Sequence, residues 1–206
     1  VGIPLPGVEI KIGAEDEILV KYGGVMKGYY KNEEETAKVF TEDGYFRTGD
    51  AGRIDENGNL YIVDRIKDLM KTSNGKYIAP QTIEIPLQSH PEISQAMVIA
   101  EGKPYVSAVI VPDFETLIEK YQEFKNYVSL TIEEKKKLLE SPFIKEKFEK
   151  IVADIQKEFA SYEKIKKFKL LPEEFTIEKG EITPTLKIKR RVVLEKLNSL
   201  IEGMYA

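Results

Sequence analysis

The 206-residue sequence contains no cysteine, which removes disulfides, thiolate nucleophiles and cysteine metal sites. Histidine occurs once, as His90 before Pro91, with no second ligand or acid near it in sequence. It is expected to end a helix rather than to act as a base or ligand. Long apolar runs are also missing. Ala96–Ala100 and Tyr105–Val111 fall far short of the ~20 residues that cross a bilayer, and no signal peptide precedes them. A G-x-x-x-x-G-K-[ST] phosphate loop is absent, as are internal repeats and low-complexity segments. These absences fit a cytoplasmic protein without a transmembrane segment, with peripheral attachment to a membrane left open. The chain opens on Val1 rather than methionine, so an upstream segment is expected.

What is present fits one large or two small domains with ordinary cores: 42% of residues are apolar and the net charge is −4. The charge is uneven. Residues 1–64 carry 7 basic and 13 acidic side chains, a net of −6, whereas 65–206 carry 24 and 22, a net of +2. Basic surface can meet phosphate, although a lysine-rich face is more often simply solvated. The overall acidity and the lack of a recognition motif speak against nucleic acid as a partner.

Residues 1–64 read as short strands and turns. Val8–Ile12 alternates and Ile18–Tyr22 is β-rich. Asn32 before three glutamates is a helix start, with that helix ending near Phe40. Asp43-Gly44 and Glu56–Asn59 are hairpin turns, the second between strands Gly52–Asp55 and Leu60–Val63. From Arg65 the pattern is α+β. A helix starts at Pro80, with Pro86 kinking or shortening it. Strands Ser94–Ala100 and Tyr105–Val111 form a hairpin, and a third strand lies near Phe168–Leu171. Helical spacing marks Phe114–Tyr121, Ile144–Phe159 and one last helix from Val193 to Ile201. Lys135–Lys137 read as an exposed helix face.

Three constellations stand out. Thr48-Gly49-Asp50 is followed fourteen residues on by Asp64-Arg65. Asp50 read alone is a turn aspartate, yet its two acceptor oxygens would also suit a vicinal diol. Lys71–Gln81 contains Ser73-Asn74-Gly75, where Gly75 permits close backbone approach. Thr183–Arg191 is a basic run around Lys187. Asp55, Asn57 and Asn59 imitate a calcium loop, but Leu60 and Ile66 occupy its glycine and glutamate positions.

Jointly, TGD, VDRIKD, KTSNGKYIAPQ and TPTLKIKRR resemble the adenylate-forming acyl-CoA synthetases, and in detail the long-chain fatty acid–CoA ligases. The resemblance implies an α+β fold: a β-barrel-like fragment ending the large N-terminal domain (1–64), then the complete small C-terminal domain (65–206) with a three-stranded sheet and helices. It implies that Asp50 and Arg65 hold the nucleotide, that Asp64 is the hinge, that Ser73, Asn74 and Gly75 line the coenzyme A passage, and that Lys187 is catalytic. Many relatives have Gly where Asn74 stands, and most have Gly where Leu186 stands. Asn74 is therefore expected to tolerate a positive φ. ATP or AMP, CoA, fatty acid and magnesium are the implied cofactors and partners, with the magnesium ligands and the rest of the N-terminal domain upstream. The fragment alone is expected to be inactive. Two alternatives stay open: a stand-alone binding or regulatory module, and an adenylation enzyme that transfers to a carrier protein.

Overall fold

Alternating side chains and Gly/Asn turns build an antiparallel meander at the N-terminus of the computed structural model, which describes residues 1–206. The strands are β1 (Glu9–Ile12), β2 (Glu17–Lys21), β3 (Phe46–Ile54) and β4 (Leu60–Arg65), in that spatial order. A short helix α1 (Glu33–Lys38) interrupts them, and Asn32 Oδ1 caps it by accepting from Glu35 N at 3.1 Å. Gly52 is required where β3 meets β4, because a Cβ there would lie 2.4 Å from Tyr61 O and 2.6 Å from Ile18 Cδ1. Four apolar side chains are buried in this unit: Ile18, Leu19, Ala51 and Leu60. That is too little to close a core, and Ile62 and Val63 remain exposed on β4. The unit comprises Val1–Leu69, so the boundary expected after Asp64 falls within β4.

The second unit, Met70–Ala206, carries an ordinary core. It opens with a two-stranded hairpin, β5 (Met70–Lys71) and β6 (Tyr77–Ile78), followed by α2 (Pro80–Gln88). Pro80 takes the first helical position and Pro86 falls in the last turn, two residues before the helix ends. The central sheet has the order β7 (Ile93–Ile99), β8 (Ser107–Pro112), β9 (Lys167–Leu170), with β7 antiparallel and β9 parallel to β8. All six residues of β8 are buried, as expected for a strand covered on both faces. Between β8 and β9 come α3 (Phe114–Lys120), two single 3₁₀ turns, α4 (Ile132–Leu139) and α5 (Pro142–Ile155). One face of the sheet packs on Phe124, Ile144, Phe148 and Val152, the other on Phe175, Val193, Ile201 and Met204. The single last helix expected from the periodicity is instead two, α6 (Arg190–Lys196) and α7 (Asn198–Tyr205), broken at Leu197 with φ −101° and ψ 14°.

The outer edge of β7 does not end on water. Glu84 Oε1 accepts from Val98 N at 2.7 Å, Arg190 Nη1 donates to Val98 O at 2.7 Å, and Gln88 Nε2 donates to Ala96 O at 3.2 Å. Side chains thus take the place of a further strand.

A second buried carboxylate, Glu92, ties the helical insertion to the start of β7. Its Oε1 accepts from Tyr121 Oη at 2.9 Å and Lys120 Nζ at 3.3 Å. Oε2 faces Lys147 Nζ at 3.0 Å as an ion pair without hydrogen-bond alignment. Burial pushes this carboxyl upward, but Lys147, Tyr121 and Lys120 outweigh it and hold Glu92 below the ordinary glutamate range. A folded-state pKa below the unfolded one means stability that is present above the unfolded value and is lost as pH falls through the folded one. Glu92→Gln is therefore expected to flatten the acid limb of the stability curve below about pH 4.5. Denaturant midpoints measured from pH 3 to pH 7 check this, and an unchanged acid slope would assign that limb to other carboxylates.

Candidate functional site

Thr48-Gly49-Asp50 was expected to be a turn and is instead a bulge inside β3. Leu19 pairs with Arg47 and Glu17 with Ala51, so one intervening residue on β2 faces three on β3. Gly49 absorbs the excess at φ 71°, and Thr48 Oγ1 fastens it by donating to Ile18 O at 2.8 Å. Local Gly-Asp chemistry suggests a turn, but the ladder on both sides keeps the strand running. The bulge turns Asp50 toward its cross-strand partner Arg65, whose Nε lies 2.8 Å from Asp50 Oδ1. The two residues assigned to the nucleotide are thus brought together. Arg65 is largely exposed, and such a pair stabilises the fold little. Asp64 beside it is buried, and its Oδ1 accepts from the Arg65 backbone N–H at 2.7 Å. One 3₁₀ turn, Ile66–Asp68, follows and closes the unit at Leu69.

In the second unit, Ser73-Asn74-Gly75 is the tip of the β5–β6 hairpin. Thr72 N donates to Lys76 O at 2.9 Å, Gly75 N to Thr72 O at 2.9 Å, and Lys76 N to Thr72 Oγ1 at 3.0 Å. Gly75 has φ 76°. Asn74, expected to tolerate a positive φ, is not called on to adopt one; Gly75 takes the left-handed position. Asn74 serves through its side chain, whose Nδ2 donates to Pro104 O at 3.1 Å, and Ser73 N donates to Lys103 O at 3.0 Å. The tip is thereby pinned to the turn that joins β7 and β8.

Lys187 ends a loop of the same construction. Thr183 N donates to Lys187 O at 2.8 Å, Leu186 N to Thr183 O at 2.8 Å, and Lys187 N to Thr183 Oγ1 at 3.0 Å. Thr41–Tyr45 and Asp55–Asn59 repeat the pattern in the first unit. In every copy a Thr or Asp oxygen caps the backbone N–H four residues on. The fourth position is left-handed: Gly44, Gly58 and Gly75, but Leu186 at φ 61°. A leucine there costs about 1–2 kcal/mol, and its side chain is 73% exposed. Leu186 therefore leaves the turn intact at a cost in strain. The sequence reading missed the capping role of Thr72 and Thr183; the shared T-x-x-x-K spacing was the available signal.

The other candidates have structural roles. Asp55 accepts from Asn57 N, Asn59 N and Tyr61 Oη, closing its own turn. His90 Nδ1 accepts from Glu92 N at 3.2 Å just past α2. Lys136 and Lys137 are exposed on α4, where Lys136 pairs with Glu133 at 3.2 Å. No three acidic or imidazole side chains converge to hold a metal ion. No helix is long and apolar enough to cross a membrane.

This arrangement offers a carboxylate–guanidinium pair in one unit and two exposed, hydroxyl-braced hairpins in the other. Over residues 67–206 the chain matches the sequence model of the AMP-binding enzyme C-terminal domain. A long-chain-fatty-acid–CoA ligase of Mycobacterium tuberculosis is 39% identical over 205 residues, which cover 100% of this chain and 34% of that protein. Long-chain-fatty-acid–CoA ligase 5 of Mus musculus is 36% identical over 197 residues, covering 94% and 28%. Among solved structures, the adenylation domain of a carboxylate reductase from Mycobacterium chelonae superposes with a TM-score of 0.73 at 26% identity, covering 99% of this chain and 32% of that one. The A domain of a carboxylic acid reductase from Segniliparus rugosus, in complex with AMP and a co-purified carboxylic acid, gives 0.69 at 27% identity, covering 97% and 32%. The chain thus spans about a third of the length of these relatives. By the extent of the domain match, it belongs to the family of AMP-binding enzyme C-terminal domains, the adenylate-forming enzymes.

Proposed function

We propose that this chain is the C-terminal portion of a long-chain fatty acid–CoA ligase, which converts a fatty acid, ATP and CoA to acyl-CoA, AMP and pyrophosphate. Residues 1–64 end the adenylation domain and 65–206 form the mobile domain, with Asp64 as the hinge. Asp50 accepts the ribose hydroxyls, and Arg65, already paired with it, supplies a fixed positive charge beside the nucleotide. In the first half-reaction a fatty-acid carboxylate oxygen bonds to the α-phosphorus as the bond to pyrophosphate breaks. Two anions must approach and charge builds on the transferring phosphate. The Lys187 ammonium, held at the end of a braced hairpin, stabilises that charge. In the second, the thiol of CoA attacks the acyl carbon and AMP leaves, with Ser73, Asn74 and Gly75 lining the approach of the pantetheine arm.

The observation that carries this reading is the pair of matching hairpins, one at Thr72–Lys76 and one at Thr183–Lys187, in a single unit that follows a short hinge-like turn. On this reading each half-reaction has its own presenting hairpin. The test is to supply the complete protein with ATP, Mg²⁺, fatty acids of graded length, and either CoA or a pantetheinylated carrier protein. AMP and long-chain acyl-CoA are the expected products. Acylation of the carrier protein alone would move the chain to the carrier-loading class, and absence of fatty-acid-dependent AMP would leave only a binding or regulatory module.

A further inference from the structure

The Ser73-Asn74-Gly75 hairpin leans on a neighbour that is itself held by α7. The base of the hairpin is anchored by the buried Met70 and Ile78 and by α2 behind it. Lys76, also at the base, places its ammonium 5.6 Å from the Tyr162 ring. The tip rests elsewhere. Ser73 N and Asn74 Nδ2 donate to Lys103 O and Pro104 O. Along β5, Gly102 N donates to Lys71 O at 2.8 Å and Lys71 N to Glu101 Oε2 at 2.7 Å. The turn between β7 and β8 is thus the rest against which the hairpin lies.

α7 fastens that turn at several points. Tyr205 Oη shares its proton between Ile99 O at 3.0 Å and Tyr105 O at 3.2 Å, and accepts from Ser107 Oγ at 2.6 Å. One hydroxyl therefore joins the last residue of β7, the end of the turn and the first residue of β8. Tyr105 Oη donates in return to Met204 O at 2.7 Å, and the two tyrosine rings lie 4.9 Å apart. Lys103, whose carbonyl receives Ser73, extends its ammonium to Glu202 Oε1 at 2.6 Å and over the Tyr205 ring at 4.9 Å. Ile201 and Met204, buried in the second core layer of the sheet, make α7 a fixed support.

From this geometry we infer that Tyr205 is a positioning residue for the Ser73–Gly75 hairpin, an inference that rests on the reading of that hairpin as the element serving thioester formation. Within the turn Lys103 N donates to Ala100 O at 3.0 Å. The Tyr205 hydroxyl adds a tie between the two ends of the turn, in a network where every lost partner is felt. Without it Ile99 O, Tyr105 O and the fully buried Ser107 Oγ each lose a bond, and the carbonyls that receive Ser73 and Asn74 are freed to shift. An error of about 1 Å in placing a reacting group can cost on the order of 10²-fold in rate, and loosening one of several supports gives part of that loss. The Thr183–Lys187 hairpin is braced by its own threonine and by the Ile182–Ile188 bridge, which the hydroxyl of Tyr205 does not supply. A general stabilising contact would act on both half-reactions alike.

The test uses the complete protein. Tyr205→Phe keeps the ring and removes the hydroxyl. It is expected to slow thioester formation from supplied acyl-adenylate and CoA by about 10-fold, with pyrophosphate release in the absence of CoA staying within about 3-fold. Hydrogen–deuterium exchange at the Ser73 amide, which donates to Lys103 O, is expected to quicken by about 5-fold or more, while the Lys187 amide, which donates to Thr183 Oγ1, keeps its rate. Glu202→Gln, which relaxes the Lys103 contact on the same turn, is expected to slow the same step by about 2- to 3-fold and serves if Tyr205→Phe does not fold. Equal losses in both half-reactions, an unaltered Ser73 exchange rate, or failure of both variants to fold would assign Tyr205 a structural role and overturn the inference. Faster Ser73 exchange with thioester formation intact would leave the support standing and defeat the reading of the hairpin instead.

Discussion

Lys187→Ala in the complete protein is expected to slow acyl-adenylate formation by about 10²–10³-fold, the loss typical of removing one preorganised donor from a charged transition state. Thioester formation from supplied acyl-adenylate is expected to fall far less, because that step starts after pyrophosphate has gone and attacks the uncharged acyl carbon of a mixed anhydride rather than joining a carboxylate to a polyphosphate. The asymmetry follows from where the residue sits. Its backbone is braced by Thr183 at 3.0 Å and its side chain is exposed at the end of a hairpin, where the proposed cycle would present the charge in the first step and withdraw it in the second. Pyrophosphate release without CoA and CoA-dependent consumption of acyl-adenylate measure the two steps separately. A comparable drop in both would show that the amine supports the fold or the whole cycle rather than the first chemical step.

Phe148→Ala is expected to destabilise the folded chain by about 3–5 kcal/mol. Phe148 is fully buried on α5 among Ile144, Val152 and Phe124, in the layer that the insertion between β8 and β9 lays over the sheet. The loss combines removed apolar area with the cavity left behind. A domain has only about 5–15 kcal/mol in hand, so much of the margin disappears. Val128, 81% exposed in the same insertion, is the control, and its truncation is expected to change stability by no more than about 0.5 kcal/mol. Urea unfolding of the 206-residue chain compares the two. A Phe148→Ala cost under about 1 kcal/mol would mean that α5 is a loosely held cover and not part of the core.

Much of the fold was legible because its signals are local. Alternation marked β1, β-rich composition marked β2, Asn32 and Pro80 marked helix starts, and the Ser94–Ala100 and Tyr105–Val111 runs fall on β7 and β8. Where the reading failed, a non-local constraint decided. Gly49-Asp50 carries the chemistry of a turn, but pairing of β3 with both neighbours turns it into a bulge. Asn74 and Gly75 are both suited to a left-handed backbone, and here the local turn decides: Gly75 holds the fourth position of the capped turn, which is left-handed in every copy. The break between α6 and α7 at Leu197 has no glycine or proline to announce it. The site candidates were visible mainly through family likeness, since TLKIKRR alone describes any solvated basic helix start. Glu84 and Arg190 lie 106 residues apart, and nothing in composition or spacing joins them. Only the folded sheet edge does.

That edge has a consequence for solitude. Val98 offers an amide hydrogen and a carbonyl outward, the two atoms by which a stray extended segment would stitch itself onto the sheet, and both are already taken by Glu84 and Arg190. The same pair finishes the hem of the strand. A chain stripped of it would have a raw margin for its neighbours to join, so in this molecule reluctance to aggregate depends on a few side-chain atoms.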